Sequence, residues 1–498
     1  MHKTSAACAL AGITAIALLP TGCAVDTGPT VTEAAPGLDA RIAQPEGAVE
    51  AAAAAPWDAP SAAWDGEAPL AADAAIRCAL VENRMLRRTL AEADRRRAML
   101  GDAQLAPNPT LNLAVGAPLD MGVVPVLAML AGQVDWLWRR DAIVGEADAQ
   151  LRALLLESAS MVTATVAEVR AAYIDAASST EQAALARRDA EVAARVLAAE
   201  ESALSAGEAG RAAVNRARMN AAEAANRVME AELAAVTAKT RLLEAIGRGH
   251  HHLRWTLAAG SVKEALAECP LPPVPAPDDE EALQALVSER RLDIRAAEAR
   301  VAGAEARAAL AATARIPSLM LGAGYDRDME GDEAAMVMLE SQLPVFNDGR
   351  FRVAAAEADA EVARIDADRI RQRAVIDARR AVAGVAAADH HAATLRDRTL
   401  DAFAASRRLV ADAVDAGERP AVDLWRSEHQ ENHLRLQLVR AERDRALACV
   451  AFERALAGGR LPSMSGGGSM VPGTLGGMGG SGGGSMPDFG FTALEEME

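Results

Sequence analysis

His429 and His433 stand four residues apart in His-Gln-Glu-Asn-His, and on a helix that spacing turns two imidazoles to one side, where a metal ion could bridge them. A zinc protease needs Glu directly after the first His, and Gln430 stands there instead. The pair is therefore expected to be two exposed helix residues. His250, His251 and His252 follow Gly247 and Gly249 and read as a polar loop. The five Cys are scattered, with no Cys-x-x-Cys, so neither a zinc site nor a disulfide framework is indicated. No Ser-His-Asp set, phosphate-binding loop or carboxylate pair stands out, and the expectation is no catalysis, no cofactor and no metal. The thioethers of Met464, Met470, Met478 and Met486 would suit Cu(I). Among Gly and Ser, however, residues 458–498 read first as a disordered, linker-like tail.

With catalysis set aside, composition points to architecture. Across 498 residues only 3% are aromatic, while Ala, Glu, Asp and Arg recur at helical spacing. That combination fits long helices lying close together rather than a thick globular core. The net charge of −18 argues against a nucleic-acid partner, which would need a concentrated basic surface. Arg95, Arg96 and Arg97 are flanked by acids and read as a solvated helix face.

Residues 1–23 run from a weakly basic start through an apolar stretch to Thr21-Gly22-Cys23, the plan of an export signal and too short to be a comfortable bilayer span. Leu-Leu-Pro-Thr-Gly-Cys resembles a bacterial lipobox, which implies lipidation at Cys23, although Pro20 stands where such signals have Leu. Residues 24–68, rich in Ala, Pro, Gly and acids without a sustained period, read as a flexible tether.

The rest is written twice. Ala106-Pro107-Asn108-Pro109-Thr110-Leu111 is matched by Ala314-Arg315-Ile316-Pro317-Ser318-Leu319, Gly145-Glu146-Ala147-Asp148 by Ala356-Glu357-Ala358-Asp359, and Ala206-Gly207-Glu208 by Ala416-Gly417-Glu418. The partners lie about 210 residues apart in all three cases. The copies, residues 69–248 and 279–457 with a connector at 249–278, share one order: helix, two strands, long helix, Gly turn, helix. Helices are expected over 70–104 and 279–315, each ended by proline, then over 137–205 and 350–415, and over 211–247 and 420–457. Without internal proline, each long helix would extend about 100 Å. The two helices that precede the strands should stack end to end with the shorter returning helices.

Strands are expected at 110–117 and 125–136, and at 318–328 and 336–345. Leu111, Leu113 and Val115 alternate with Thr110, Asn112 and Ala114, and Leu319, Leu321 and Tyr325 alternate with Ser318, Met320 and Gly324. One apolar face, one small or polar face and lengths of about 8 to 11 residues suit a tilted transmembrane β-strand, which needs about 9 to 11. Asp326 to Glu333 would be the loop outside. Four strands cannot close around a pore, so other subunits must complete the wall.

Pro-Asn-Pro-Thr-Leu at the first strand, Leu-Pro-Val-Phe-Asn-Asp-Gly at the second strand-to-helix joint and the paired Ala-Gly-Glu turns resemble the TolC-like outer-membrane efflux protein family, in its lipoprotein branch serving resistance-nodulation-division pumps. The resemblance covers residues 70–457. It implies a mainly α fold with a small β part: a homotrimer in which two-repeat coiled-coil hairpins form an α-barrel and four strands per subunit build a twelve-stranded transmembrane β-barrel. It further implies an outer-membrane duct with a large periplasmic portion, passively conducting small toxic compounds or metal ions, together with an inner-membrane pump and a periplasmic adaptor. The alternatives are the outer component of a type I protein secretion system and a non-pore periplasmic coiled coil.

By the same resemblance, the turns at Gly207 and Glu208 and at Gly417 and Glu418 are where the adaptor docks. Arg419 and Asp423 match the family's gate-region Arg and first Asp. Arg426 stands where a second Asp is usual, and Ala213 where the first repeat supplies an acidic partner. At the strand-to-helix joint, Pro344 should end the strand, Phe346 should anchor at the interface, and Asn347-Asp348-Gly349 should turn the chain and cap the next helix.

Overall fold

The computed structural model describes residues 25–56, 58, 60–116, 124–269, 273–313, 316–328, 330–342 and 345–458. The export signal with Cys23, the tail beyond Gly458, and Leu343 and Pro344 at the joint lie outside the described residues.

Three short helices come first, α1 (Val31–Ala34), α2 (Leu38–Arg41) and α3 (Ala48–Ala54). The first repeat holds α4 (Ala72–Glu82), α5 (Arg84–Gln104), β1 (Thr110–Val115), β2 (Val126–Gln133), α6 (Trp136–Ser205) and α7 (Arg211–Ile246). The connector contains α8 (Val262–Glu268). The second repeat has α9 (Glu280–Arg290), α10 (Leu292–Thr313), β3 (Leu319–Arg327), β4 (Glu333–Ser341) and α11 (Arg350–Thr394). A π-helical segment, Leu395–Leu400, then joins α11 to α12 (Asp401–Asp415), and α13 (Ala421–Ala457) returns.

α6 is the hub. Leu151, Leu155, Ala159, Val162, Val166, Val169, Tyr173 and Ala176 recur in steps of three or four and are all buried, so one seam of the helix always faces a partner. Along its middle the burial runs all round, as expected of a helix packed on every side. α7, α10, α13, α5 and α4 supply that packing. Ser158 and Thr180 are accommodated there because their hydroxyls donate to the carbonyls of Leu154 and Ala176, both at 2.8 Å.

Each helix expected ahead of the strands is broken once, and the break receives the end of the returning helix. At Asn83 the side chain accepts from the N–H groups of Met85 and Leu86, starting α5, and donates to Ala245 O at 3.0 Å near the end of α7. In the second repeat Arg291 pairs with Asp293 at 2.6 Å and donates to Ala455 O at 2.6 Å near the end of α13. The expected end-to-end stacking is therefore present as abutting helix ends, closed at Gly247 and Gly458. Gly247 has φ 100°, and a Cβ there would lie 2.5 Å from the Glu82 carbonyl oxygen.

The sheet runs β1-β2-β3-β4, antiparallel throughout, so β2 and β3 join the two repeats. The strand expected over 125–136 ends at Gln133, because Asp135 starts α6 and pairs with Arg139 at 2.8 Å. The strand expected over 336–345 is shifted to Glu333–Ser341. Asp326 and Glu333, expected in a loop, therefore pair within the ladder, with Ala334 and Arg327.

The segment 24–68 reads from composition as a flexible tether; its described residues instead fold onto the hub. Val31, Leu38, Ile42, Val49 and Trp64 are buried in the same apolar cluster as α6. Thr30 and Glu33 form a reciprocal capping box. Arg87 donates to the carbonyls of Ala52, Ala53 and Ala55, closing α3. Composition misled because Ala and Pro outnumber a few large anchors spaced well apart. One clasp reaches across the fold: Arg170, buried on α6, pairs with Glu453 on α13 and donates to Ile42 O at 3.1 Å. Burial nonetheless pushes the Glu453 carboxyl above its usual range, with Arg170 opposing it.

Gly247→Ala is expected to lower the thermal midpoint of the detergent-solubilised protein far more than Gly207→Ala. Both side chains would face a left-handed backbone worth about 1–2 kcal/mol, but only Gly247 meets another backbone. Arg170→Leu should destabilise by about 3 kcal/mol by stranding a buried carboxylate. Adding Glu453→Leu should recover most of that loss, read by the same melting experiment as a double-mutant cycle.

Candidate functional site

Both hairpins turn in the same way. Past α6, Glu208 N–H reaches Ala203 O at 2.9 Å and Gly207 N–H reaches Leu204 O at 3.1 Å. Past α12, Glu418 N–H reaches Ala413 O and Gly417 N–H reaches Val414 O, each at 2.9 Å. These are paired Schellman turns, with Gly207 and Gly417 in the left-handed region at φ 78° and 76°. Both tips are exposed, and a Cβ on either glycine would meet nothing within 4 Å.

Behind the second tip, Arg419 and Asp423 do not pair with each other. Asp423 Oδ1 accepts from Arg426 at 3.1 Å, and the same guanidinium reaches Glu200 on α6, a carboxylate only 9% exposed. The residue standing where the resemblance implied a second Asp is therefore a cation joining carboxylates of two helices. The exposed Arg419 donates its backbone N–H to Ala413 O at 3.2 Å, and its side chain makes no ion pair among the described residues. Ala213, Glu200, Arg426 and His429 face a cavity of about 290 Å³ between α6, α7 and α13.

The polar set continues up α6. Asp189 is buried, accepting from Arg227 of α7 at 3.2 Å and lying 2.6 Å from His429 Nδ1 on α13. His429 is thus drawn inward to a carboxylate, and only His433 is the exposed residue expected of both. Arg195 pairs with Glu428 at 3.1 Å and lies over the Trp425 ring. Sequence reasoning passed over Glu200 and Asp189. The available signal was an acid on the inner seam of an Ala-rich helix, where a buried charge requires a partner. His251 is likewise no free loop residue: its ring packs edge-on against Trp64 and its Nε2 lies 2.9 Å from Gly66 O.

At the sheet end, the register assigns each strand residue to a face. Leu111, Leu113, Val115, Leu321, Val337 and Leu339 share one face and are all exposed, Val337 at 80%. Thr110, Asn112, Gln133, Gly322, Gly324, Asp326 and Glu340 share the other. Beyond β4, Phe346 is fully exposed, with Val345 and Phe351 exposed beside it. In the turn, Asn347 Oδ1 accepts from Gly349 N–H and Asp348 Oδ1 from Arg350 N–H, each at 3.1 Å. The helix N-cap is Gly349 itself at φ 74°, with the hydrogen-bonding side chains just ahead of it.

A sheet apolar on one face at one end, and hairpin tips beyond helices of 70 and 36 residues at the other, can now be set beside known proteins. No curated protein sequence matches the chain. Among solved structures it is similar to CusC, whose structures follow folding and transmembrane channel formation, at 16% identity and a TM-score of 0.65, over 79% of this chain and 94% of that one. It is similar to the outer membrane protein VceC of Vibrio cholerae at 16% identity and 0.60, over 78% and 96%. It also resembles the open MtrE outer membrane channel of Neisseria gonorrhoeae at 17% and 0.59, over 81% and 94%. At these identities the likeness establishes the fold: long helical hairpins carrying a four-stranded sheet. Residues 283–458, within the second repeat, match the family model described as outer membrane efflux protein.

Proposed function

We propose that the protein is the outer-membrane exit duct of a tripartite efflux system, working as a homotrimer with a periplasmic adaptor and an inner-membrane pump. One observation carries this reading: the sheet has an exposed apolar face and leaves β1 and β4 each with one unpaired edge. Backbone groups in lipid must be paired, so such a sheet is stable in a bilayer only when copies close it into a barrel. Three copies give twelve strands, enough to enclose a lumen with the polar face inward.

The helices support the same assembly. α7 buries Val214, Ala217, Ala224, Ala238 and Leu242, while Met219, Met229, Leu233 and Val236 remain exposed on another face at heptad-compatible spacing. α11 likewise exposes Phe351, Val362, Ile365 and Ile376. Helices with two apolar stripes belong inside a closed ring of helices. A non-pore coiled coil would leave both the stripes and the sheet face uncovered.

In this reading Cys23 is the lipid anchor, Phe346 sits at the periplasmic rim of the outer-membrane barrel, and the tips at Gly207, Glu208, Gly417 and Glu418 receive the adaptor. Arg419 and Asp423 belong to the closure, where Asp423 acts through Arg426 and Glu200 to hold α13 against α6. A ring of carboxylates at that constriction would favour cations.

Purified protein in planar bilayers is expected to give small, cation-preferring conductance steps. Extraction as a water-soluble monomer without channel activity would refute the duct. Asp423→Ala and Arg426→Ala should each raise the basal conductance, with about 1 kcal/mol of lost pairing shifting the closed population roughly fivefold. Unchanged conductance in both would remove these residues from the closure.

A further inference from the structure

Counted from the hairpin tips upward, side-chain pairs join α6 to α13 like rungs. Glu200 pairs with Arg426, Arg195 with Glu428 at 3.1 Å, Asp189 with His429 at 2.6 Å and Gln182 with Arg440 at 3.0 Å. Higher still, Asp175 meets Arg443 at 3.5 Å and Arg170 meets Glu453. Among these described rungs arginine is the donor in every one except that of Asp189, where histidine takes its place. Asp189 is also the most deeply buried carboxylate of the set, its side chain 3% exposed, and it accepts from Arg227 of α7 at 3.2 Å as well. Arginine keeps its charge throughout the physiological range, whereas imidazole changes charge between about pH 5 and about pH 8. The Asp189 rung is therefore the one described link between these helices that protons can weaken or strengthen there.

The surroundings localise the effect. Toward the tips lies the cavity of about 290 Å³, lined by Glu200 of α6, Arg216 of α7 and Arg426 together with His429, so the seam below the rung is not packed solid. Above it, Leu185 of α6 packs with Leu436 and Val439 of α13. On the far side, α12 buries none of its residues and reaches this stretch of α13 through Arg407, taken by Glu431 at 2.6 Å. On α13 itself Glu428 is held by Arg195, and His433 is exposed. The carboxylates of Asp189 and Glu200 favour an imidazolium here, and Arg216, Arg227 and Arg426 oppose it. Of these groups only Asp189 is in hydrogen-bond contact with the ring.

With the ring protonated, the contact joins two charges; with the ring neutral, Nδ1–H can still donate, but the bond is weaker. Asp189 is not stranded by that change, because Arg227 keeps its hold. Loss of the proton thus loosens α13 from α6 while α6 stays tied to α7. We propose that Asp189 and His429 form a proton-dependent latch of the closure, which holds the second hairpin against the first at acidic pH and relaxes as pH rises. The latch rests on the duct reading above for its effect on flow. The closed arrangement is what gives His429 its carboxylate, so proton binding favours closure. The latch is at full strength below the imidazole titration and weakens as pH rises through it.

The test records conductance of the purified full chain in planar bilayers between about pH 5 and about pH 8. The open fraction should rise roughly fivefold from the lower to the higher value, the difference between a charge-assisted and an ordinary hydrogen bond. His429→Gln, which keeps a donor but cannot titrate, should abolish that rise; His429→Asn replaces it if that variant does not fold. Arg426→Ala should instead raise the open fraction at both ends of the range and keep the rise. A flat profile in the parent, or an undiminished rise in the His429 variant, would overturn the latch. A second readout needs no channel: spin labels at Glu208→Cys and Glu418→Cys report the separation of the tips in detergent by pulsed electron paramagnetic resonance. That separation should lengthen with pH when His429 is present and stay fixed when it is replaced. Channels without a His429-dependent pH response remove the latch and leave the duct, while His429-dependent tip movement without channels does the reverse.

Discussion

Backbone pairing at the two sheet edges is the constraint on which the rest depends. β1 and β4 present N–H and C=O groups that no strand of their own sheet pairs, beside side chains apolar enough for hydrocarbon. In water such edges invite aggregation, and in lipid each unpaired group costs several kcal/mol. In the proposed duct, closure by further copies would resolve both problems and would fix how the helices gather beneath. The exposed stripes of α7 and α11 are the helical counterpart of the same incompleteness.

Within the subunit, the two repeats solve one mechanical problem twice with different chemistry. A returning helix must end against the break in a preceding one. The first junction uses the Asn83 amide beside the buried Glu82–Arg248 ion pair, and the second uses Arg291 with Asp293. The hairpin tips, by contrast, are chemically the same. The long helices differ again: α6 is continuous over 70 residues, but its counterpart carries the π-helical segment Leu395–Leu400, where the Thr399 hydroxyl donates to Thr394 O at 3.3 Å. Asp189 lies at the corresponding height on α6 and holds α7 and α13 through Arg227 and His429. The π-helical segment is tied to α13 in turn, through Arg396 and Glu442 at 2.9 Å.

Much of this was legible before the structure. The period of about 210 residues, the helix ends at Ser205, Asp415 and Ala457, and the strand starts near Thr110 and Leu319 follow from Gly and Pro punctuation and alternation, which are local signals. Three kinds of feature were not legible. The folding of residues 25–68 depends on Trp64, Ile42 and Leu38 finding a distant surface. The inward turn of His429 depends on Asp189, 240 residues away. The exchange of partners around Asp423 depends on Glu200, which only packing brings to Arg426. Each is set by contacts across long sequence separation, which no window of neighbouring residues contains.

The central claim is that the sheet is closed by other copies, and hydrogen exchange of the backbone amides in the membrane-extracted protein tests it most directly. The account predicts that amides of β1 and β4 on both sides of each strand are as protected as those of β2 and β3. Rapid exchange confined to the outward-pointing amides of β1 and β4 would show an open sheet and contradict it.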